Sequence, residues 1–117
     1  MGKLSTHVLD ITQGKPGAGV KVALYAVGTQ GRTLLKTDAT NADGRCSSPL
    51  LEGDALKQGK YELVFSAGAY FAAQGVDLPE PPFIDEVTLA FGIAHPDQNY
   101  HVPLVVSPWA YSTYRGS

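Results

Sequence analysis

The stretch Tyr100-His101-Val102-Pro103-Leu104-Val105-Val106-Ser107-Pro108-Trp109-Ala110-Tyr111-Ser112-Thr113-Tyr114-Arg115-Gly116-Ser117 decides how the chain reads. Its opening is dense in β-branched and aromatic side chains, which favour extended backbone. Ser107-Pro108 breaks the run and Trp109 to Arg115 resumes it, so the segment predicts two strands joined by a tight hairpin. Chain ends usually fray. This one carries strand-like sequence up to Arg115, together with a histidine, an arginine and a serine. Alternation then assigns faces. Tyr100, Val102, Leu104 and Val106 are the more apolar set and point inward, which leaves His101, Pro103 and Val105 outside. An outward histidine and proline beside an apolar valine predict a face that meets a partner sheet or a ligand rather than bulk water.

The same period of two recurs upstream. Ser5 to Thr12 alternates, and Ala18 to Gly28 is the clearest half-buried strand, with Val20, Val22 and Leu24 against Lys21, Ala23 and Tyr25. Gly14-Lys15-Pro16-Gly17 separates the two. Arg32 to Thr40 alternates poorly but can pair as the next strand. In Asn41-Ala42-Asp43-Gly44, Asp-Gly supplies the positive φ of a tight turn, and Arg45 to Ser47 follows as a short strand. Pro49 to Gln58 reads as irregular, with room for one helical turn, and Lys60 to Ser66 alternates again. Ala67 to Gln74 is the one convincing helix, stopped by Gly75. Pro79-Glu80-Pro81-Pro82 lacks too many N–H donors to lie in a central strand, and Phe83 to Ile93 is a long strand. About eight short strands and one short helix, with turn signals roughly every ten residues, predict an all-β, two-sheet antiparallel β-sandwich.

Composition narrows the function. The 117 residues suffice for one domain, 1–117, with a real core, and a hydrophobic fraction of 44% against 17% charged residues argues against disorder. Net charge is −2 and the nine lysines and arginines are dispersed, so no basic stripe is present for nucleic acid or an anionic membrane. No apolar run approaches membrane-spanning length. The single cysteine, Cys46, excludes an internal disulfide and favours a reducing compartment. Met1 to His7 has no apolar stretch of the secretory kind, which makes the cytoplasm the default expectation.

The side chains able to carry chemistry are His7, His95, His101, Arg32, Arg45, Arg115, Cys46 and the C-terminal serines. The three histidines lack the short spacing of metal-ligand pairs, and no nucleophile elbow or phosphate-binding glycine motif occurs. Neither a metal nor a cofactor is expected.

Several of these residues sit in specific motifs. Ser5-Thr6-His7-Val8-Leu9-Asp10, Gly14-Lys15-Pro16 followed by Val20 to Tyr25, Thr40 to Arg45, Tyr100 to Leu104 and the terminal Tyr111 to Ser117 together resemble the transthyretin-like 5-hydroxyisourate hydrolases of purine degradation, over essentially the whole chain. The Asp-Gly turn alone is weak; the terminal Tyr114-Arg115-Gly116-Ser117 with Tyr100 to Leu104 and Thr6 to Asp10 is specific. The resemblance implies that His7, Arg45, His101 and Ser117 are catalytic and that Tyr114, Arg115 and Gly116 bind substrate. It also implies a homotetramer, a dimer of dimers with active sites in the channel between them, and cytoplasmic, peroxisomal or periplasmic members. The implied reaction opens a ring of 5-hydroxyisourate with water. Imidazole near its ordinary pKa of about 6.5 can deprotonate that water. A guanidinium can hold the developing oxyanion. His7 and His101 are assigned to water activation and proton delivery, without a division between them. Arg45 is assigned to the carbonyl, and Ser117 to orienting substrate or water.

Overall fold

In a computed structural model, which describes residues 2–116, nine strands form two sheets. One sheet has the order β2-β1-β8-β9, where β1 is Lys3–Asp10, β2 Lys15–Pro16, β8 Tyr100–Val106 and β9 Tyr111–Ser112; β5, Leu51–Glu52, also pairs with β1. The other has the order β4-β3-β6-β7, from β4 Gly31–Ala39, β3 Lys21–Gly28, β6 Gly59–Ser66 and β7 Glu86–Ile93. The two-sheet sandwich with one α-helix, α1 at Ala67–Ala73, is the expected architecture. Alternation drives it. Leu4 and Val8 of β1 and Val102, Leu104 and Val106 of β8 turn inward, towards Val22, Leu24, Leu63, Phe65, Val87 and Leu89 of the second sheet, all buried in one cluster. Each such side chain contributes roughly 1.5–3 kcal/mol by leaving water.

Three differences from the sequence reading bear on the site. First, β1 and β8 run parallel, from Leu4↔Tyr100 to Asp10↔Val106, whereas the sandwich was expected to be antiparallel throughout. Second, Arg45 to Ser47 is not a strand. The chain touches β1 at one residue, Arg45 opposite His7, and leaves through Ser47, Ser48 and Pro49, a turn-prone run. Together with Lys15–Pro16 and Leu51–Glu52, read from sequence as a breaker and as irregular, it covers the far edge of β1 in three short pieces. Third, Trp109 to Arg115 pairs as strand only at Tyr111–Ser112, opposite Val106 and Val105. Beyond it a side chain replaces the ladder: Thr113 Oγ1 donates to Pro103 O at 2.7 Å. A strand residue points its N–H and C=O the same way, so the donor that Pro103 lacks faces this segment, where regular pairing has ended. β7 likewise starts at Glu86, three residues later than expected, because the proline loop leaves Phe83 72% exposed.

The helix packs Ala67, Gly68, Tyr70 and Phe71 inward and stops at Gly75, whose φ is +78°. It is tied to β1 by Asp10, which is 1% exposed. The Asp10 carboxylate accepts from Tyr70 Oη at 2.7 Å, from the Thr12 and Gln13 amides at 2.9 and 3.1 Å, and from Gln13 Nε2 at 2.9 Å. A carboxylate this deep is tolerable only with such a full set of donors. Among the described residues no helix is long and apolar enough to cross a membrane.

Candidate active site

The outer face of the β1–β8 pair carries Ser5, His7 and Leu9 on one strand and His101 and Val105 on the other, all half-buried. The parallel register sets Ser5 beside His101 and His7 beside Pro103, so the two histidines lie one diagonal step apart. His101 therefore faces outward as its alternation required. Ser5 Oγ lies 2.9 Å from His101 Nδ1.

Arg45 arrives from the far edge. The Asn41 side-chain oxygen accepts the amides of Asp43 at 2.9 Å and Arg45 at 3.2 Å, and Gly44 N donates to Asn41 O at 2.9 Å. Gly44 has φ +77°, and a Cβ there would strike the Val8 carbonyl oxygen, so only glycine fits. Val8 N donates to Gly44 O at 2.8 Å, which seats the turn on β1. The same turn orients His7, whose Nε2 donates to Asp43 O at 2.9 Å.

The end of the chain closes the third side. Gly116 N donates to His101 O at 2.7 Å, and a Cβ on Gly116 would lie 2.6 Å from His101 Cδ2. Glycine is needed here because the backbone passes against the imidazole. Ser117 lies outside the described residues.

These elements frame an open hollow of about 590 Å³ whose wall includes Lys3, Ser5, Arg45, His101, Tyr114 and Gly116 and, among the described residues, no Asp or Glu side chain. His7 stands just beyond that wall, opposite Arg45. Burial, then the Arg45 charge, then His7, hold the His101 pKa below the ordinary histidine value. At neutral pH it is an uncharged imidazole beside a guanidinium. Cys46, also on the wall, is a poor nucleophile: burial, reinforced by Asp38, pushes its thiol up to about 11. Arg115 is turned elsewhere. Its guanidinium lies 4.1 Å from the Tyr100 ring centroid and donates to Gln98 Oε1 at 3.2 Å and Asn99 O at 3.0 Å. The structure thus brings His7, Arg45, His101, Tyr114 and Gly116 together and leaves Arg115 as an anchor of the terminal segment. Ser5 was not singled out by the sequence reading, because its place beside His101 depends on the parallel pairing.

A two-sheet sandwich bearing a histidine–arginine–histidine cluster on an outer face, closed by the end of its own chain, defines the class as transthyretin-like. A family model described as the HIUase/Transthyretin family matches residues 4–116, and the chain belongs to that family. It is 56% identical to the 5-hydroxyisourate hydrolase of Pseudomonas aeruginosa over 117 residues, covering 100% of this chain and 93% of that protein. It is 56% identical to the 5-hydroxyisourate hydrolase of Ralstonia nicotianae, with 100% of both covered. Among solved structures, (S)-allantoin synthase superposes with a TM-score of 0.94 at 43% identity; the match covers 99% of this chain but 44% of that one. The Klebsiella pneumoniae 5-hydroxyisourate hydrolase gives 0.83 at 35%, with 100% of both chains covered. Sea bream transthyretin in complex with thyroxine gives 0.86 at 27%, covering 97% of this chain and 94% of that one.

Proposed function

We propose that the chain hydrolyses 5-hydroxyisourate to 2-oxo-4-hydroxy-4-carboxy-5-ureidoimidazoline, in the conversion of urate towards allantoin. The observation that carries this reading is the convergence of His7, Arg45 and His101 on one outer sheet face, with Gly116 against His101. The relatives named 5-hydroxyisourate hydrolase support the substrate. A wall that carries Lys3 and Arg45 and, among the described residues, no Asp or Glu side chain suits an electron-rich, oxidised purine ring. In this reading the histidines activate water, Arg45 polarises the lactam carbonyl, and Tyr114 and Gly116 shape the floor. Arg115 acts by holding the terminal segment, and Ser117, with its hydroxyl or terminal carboxylate, orients substrate or water. An ultraviolet assay of freshly prepared 5-hydroxyisourate tests the proposal. The purified chain accelerates the decay, and a rate equal to the spontaneous one overturns the reading.

We also propose a homotetramer in which paired outer faces enclose these sites. Exposed aromatics at the rim support it: Phe83 and Trp109 are 72% and 61% exposed and stack at 5.9 Å. The second reading, a carrier of an aromatic ligand, is favoured by the likeness to transthyretin with thyroxine. Deleting Arg115 to Ser117 separates the two: a hydrolase loses turnover, whereas a carrier keeps both its fold and its ligand.

A further inference from the structure

The two histidines differ in what holds them. His7 Nε2 faces the Asp43 carbonyl oxygen at 2.9 Å. A carbonyl only accepts, so this nitrogen carries the hydrogen, and neutral His7 presents its lone pair on Nδ1. His101 is held at the other nitrogen, by a hydroxyl that can donate or accept, with Ser5 Oγ 2.9 Å from Nδ1. Among the described residues the Ser5 hydroxyl makes no other hydrogen bond, and His101 Nε2 makes none. Turning the ring over would put carbon opposite Ser5 and lose the hydrogen bond at 2.9 Å, leaving Nδ1 on the Gly116 side, where no described hydrogen bond meets the ring.

From these contacts we infer that Ser5 is a positioning residue: its hydroxyl donates to Nδ1 of His101 and fixes that ring as the Nε2–H tautomer, so that His101 offers a free N–H donor where His7, with its Nε2–H held by Asp43, offers a free lone pair. The inference rests on the reading of His7, Arg45 and His101 as the reaction centre, and it divides the work between the histidines. His7 Nδ1 takes a proton from water as the water oxygen bonds to the lactam carbon. The carbonyl π pair moves onto oxygen, where the Arg45 guanidinium and His101 Nε2–H donate hydrogen bonds. When the C–O double bond re-forms, the C–N bond breaks and His7 passes its proton to the departing nitrogen. His101 keeps its proton throughout. A neutral imidazole in that place also avoids a second cation beside Arg45 while His7 is charged.

The test uses the full chain labelled with ¹⁵N-histidine, and steady-state kinetics on 5-hydroxyisourate. Long-range ¹H–¹⁵N spectra near neutral pH show His101 protonated on Nε2 and bare on Nδ1. Ser5→Ala turns this into a tautomer mixture and lowers kcat by about 10-fold to 100-fold, the scale of outer-shell partners of histidine ligands, with KM little changed. Ser5→Thr keeps the hydroxyl and restores both readouts. Protonated Nδ1 in the wild-type spectrum overturns the inference, and this spectrum decides even if Ser5→Ala folds poorly. Wild-type kcat in Ser5→Ala beside an inactive His101→Ala also overturns it, leaving the site reading intact. A fully active His101→Ala overturns the site reading itself, and this inference with it.

Discussion

At the scale of single residues, His101 is where both ends of the chain meet, with Ser5 at its Nδ1 and Gly116 along its Cδ2 edge. Gly116→Ala places a methyl 2.6 Å from the ring carbon, so the imidazole must shift. A displacement near 1 Å in a reaction centre can cost about 10²-fold in rate. The expected result is a kcat reduced on that scale with an unchanged circular dichroism spectrum. Titration gives a second check. His101 is half-buried and faces the Arg45 charge and His7, so its charged form is disfavoured in the fold and its pKa sits below the unfolded value. The unfolded chain therefore takes up the proton first as pH falls. Stability is complete above the unfolded histidine pKa, about 6.5, and declines as pH drops through the lower folded one. Urea midpoints measured from pH 7.5 to about pH 5 should fall less steeply in His101→Gln than in the wild type, because the variant has nothing to titrate at position 101.

At the scale of elements, Asp10 joins the end of β1 to α1 and the following turn. Asp10→Ala leaves the Tyr70 hydroxyl and the Thr12 and Gln13 amides without their acceptor. The cost expected from urea unfolding is about 2–4 kcal/mol, against about 1–2 kcal/mol for Tyr70→Phe, which removes one donor and leaves the others. The elements also show what local pattern can and cannot carry. β3, β6 and β8 were legible because Val22 and Leu24, Tyr61, Leu63 and Phe65, and Tyr100, Val102, Leu104 and Val106 are buried at every second position, although Val64 and Pro103 between them are buried too. Outward His101 followed from that parity alone. Pairing partners did not, because alternation looks the same in parallel and antiparallel ladders; the β1–β8 contact spans 96 positions of sequence, and with it Ser5 was missed. Lys15–Pro16 and Leu51–Glu52 are too short to show any period, and they pair because β1 offers them an edge. Arg45, His7 and the terminal motif were legible as residue types, through family resemblance; the turn geometry that joins them was only half visible, in Asp43-Gly44.

At the scale of the whole molecule, the two sheets present unlike outer faces. One holds the histidine–arginine cluster, and its rim carries Trp109, Tyr111 and Tyr114, each about half exposed or more. If four copies assemble on that face, sedimentation velocity gives one species of four chains. Trp109→Glu, which puts charge into the aromatic rim, shifts it to smaller species while the monomer fold persists. A wild-type chain that sediments as a monomer at micromolar concentration overturns the assembly.

The parallel partnership of β1 and β8 has a consequence for how the molecule comes into being. Among the described residues β1 precedes every other strand, yet its one full-length neighbour, β8, lies 96 positions further along the chain. On the ribosome, Leu4 and Val8 stay uncovered and one side of β1 has unmatched amides until Tyr100 onwards has emerged. The second sheet, β3, β4, β6 and β7, can form earlier from neighbouring antiparallel strands. The sheet that carries His7 and His101 is thus completed after its partner sheet, because β1 stays uncovered on that side until β8 has emerged.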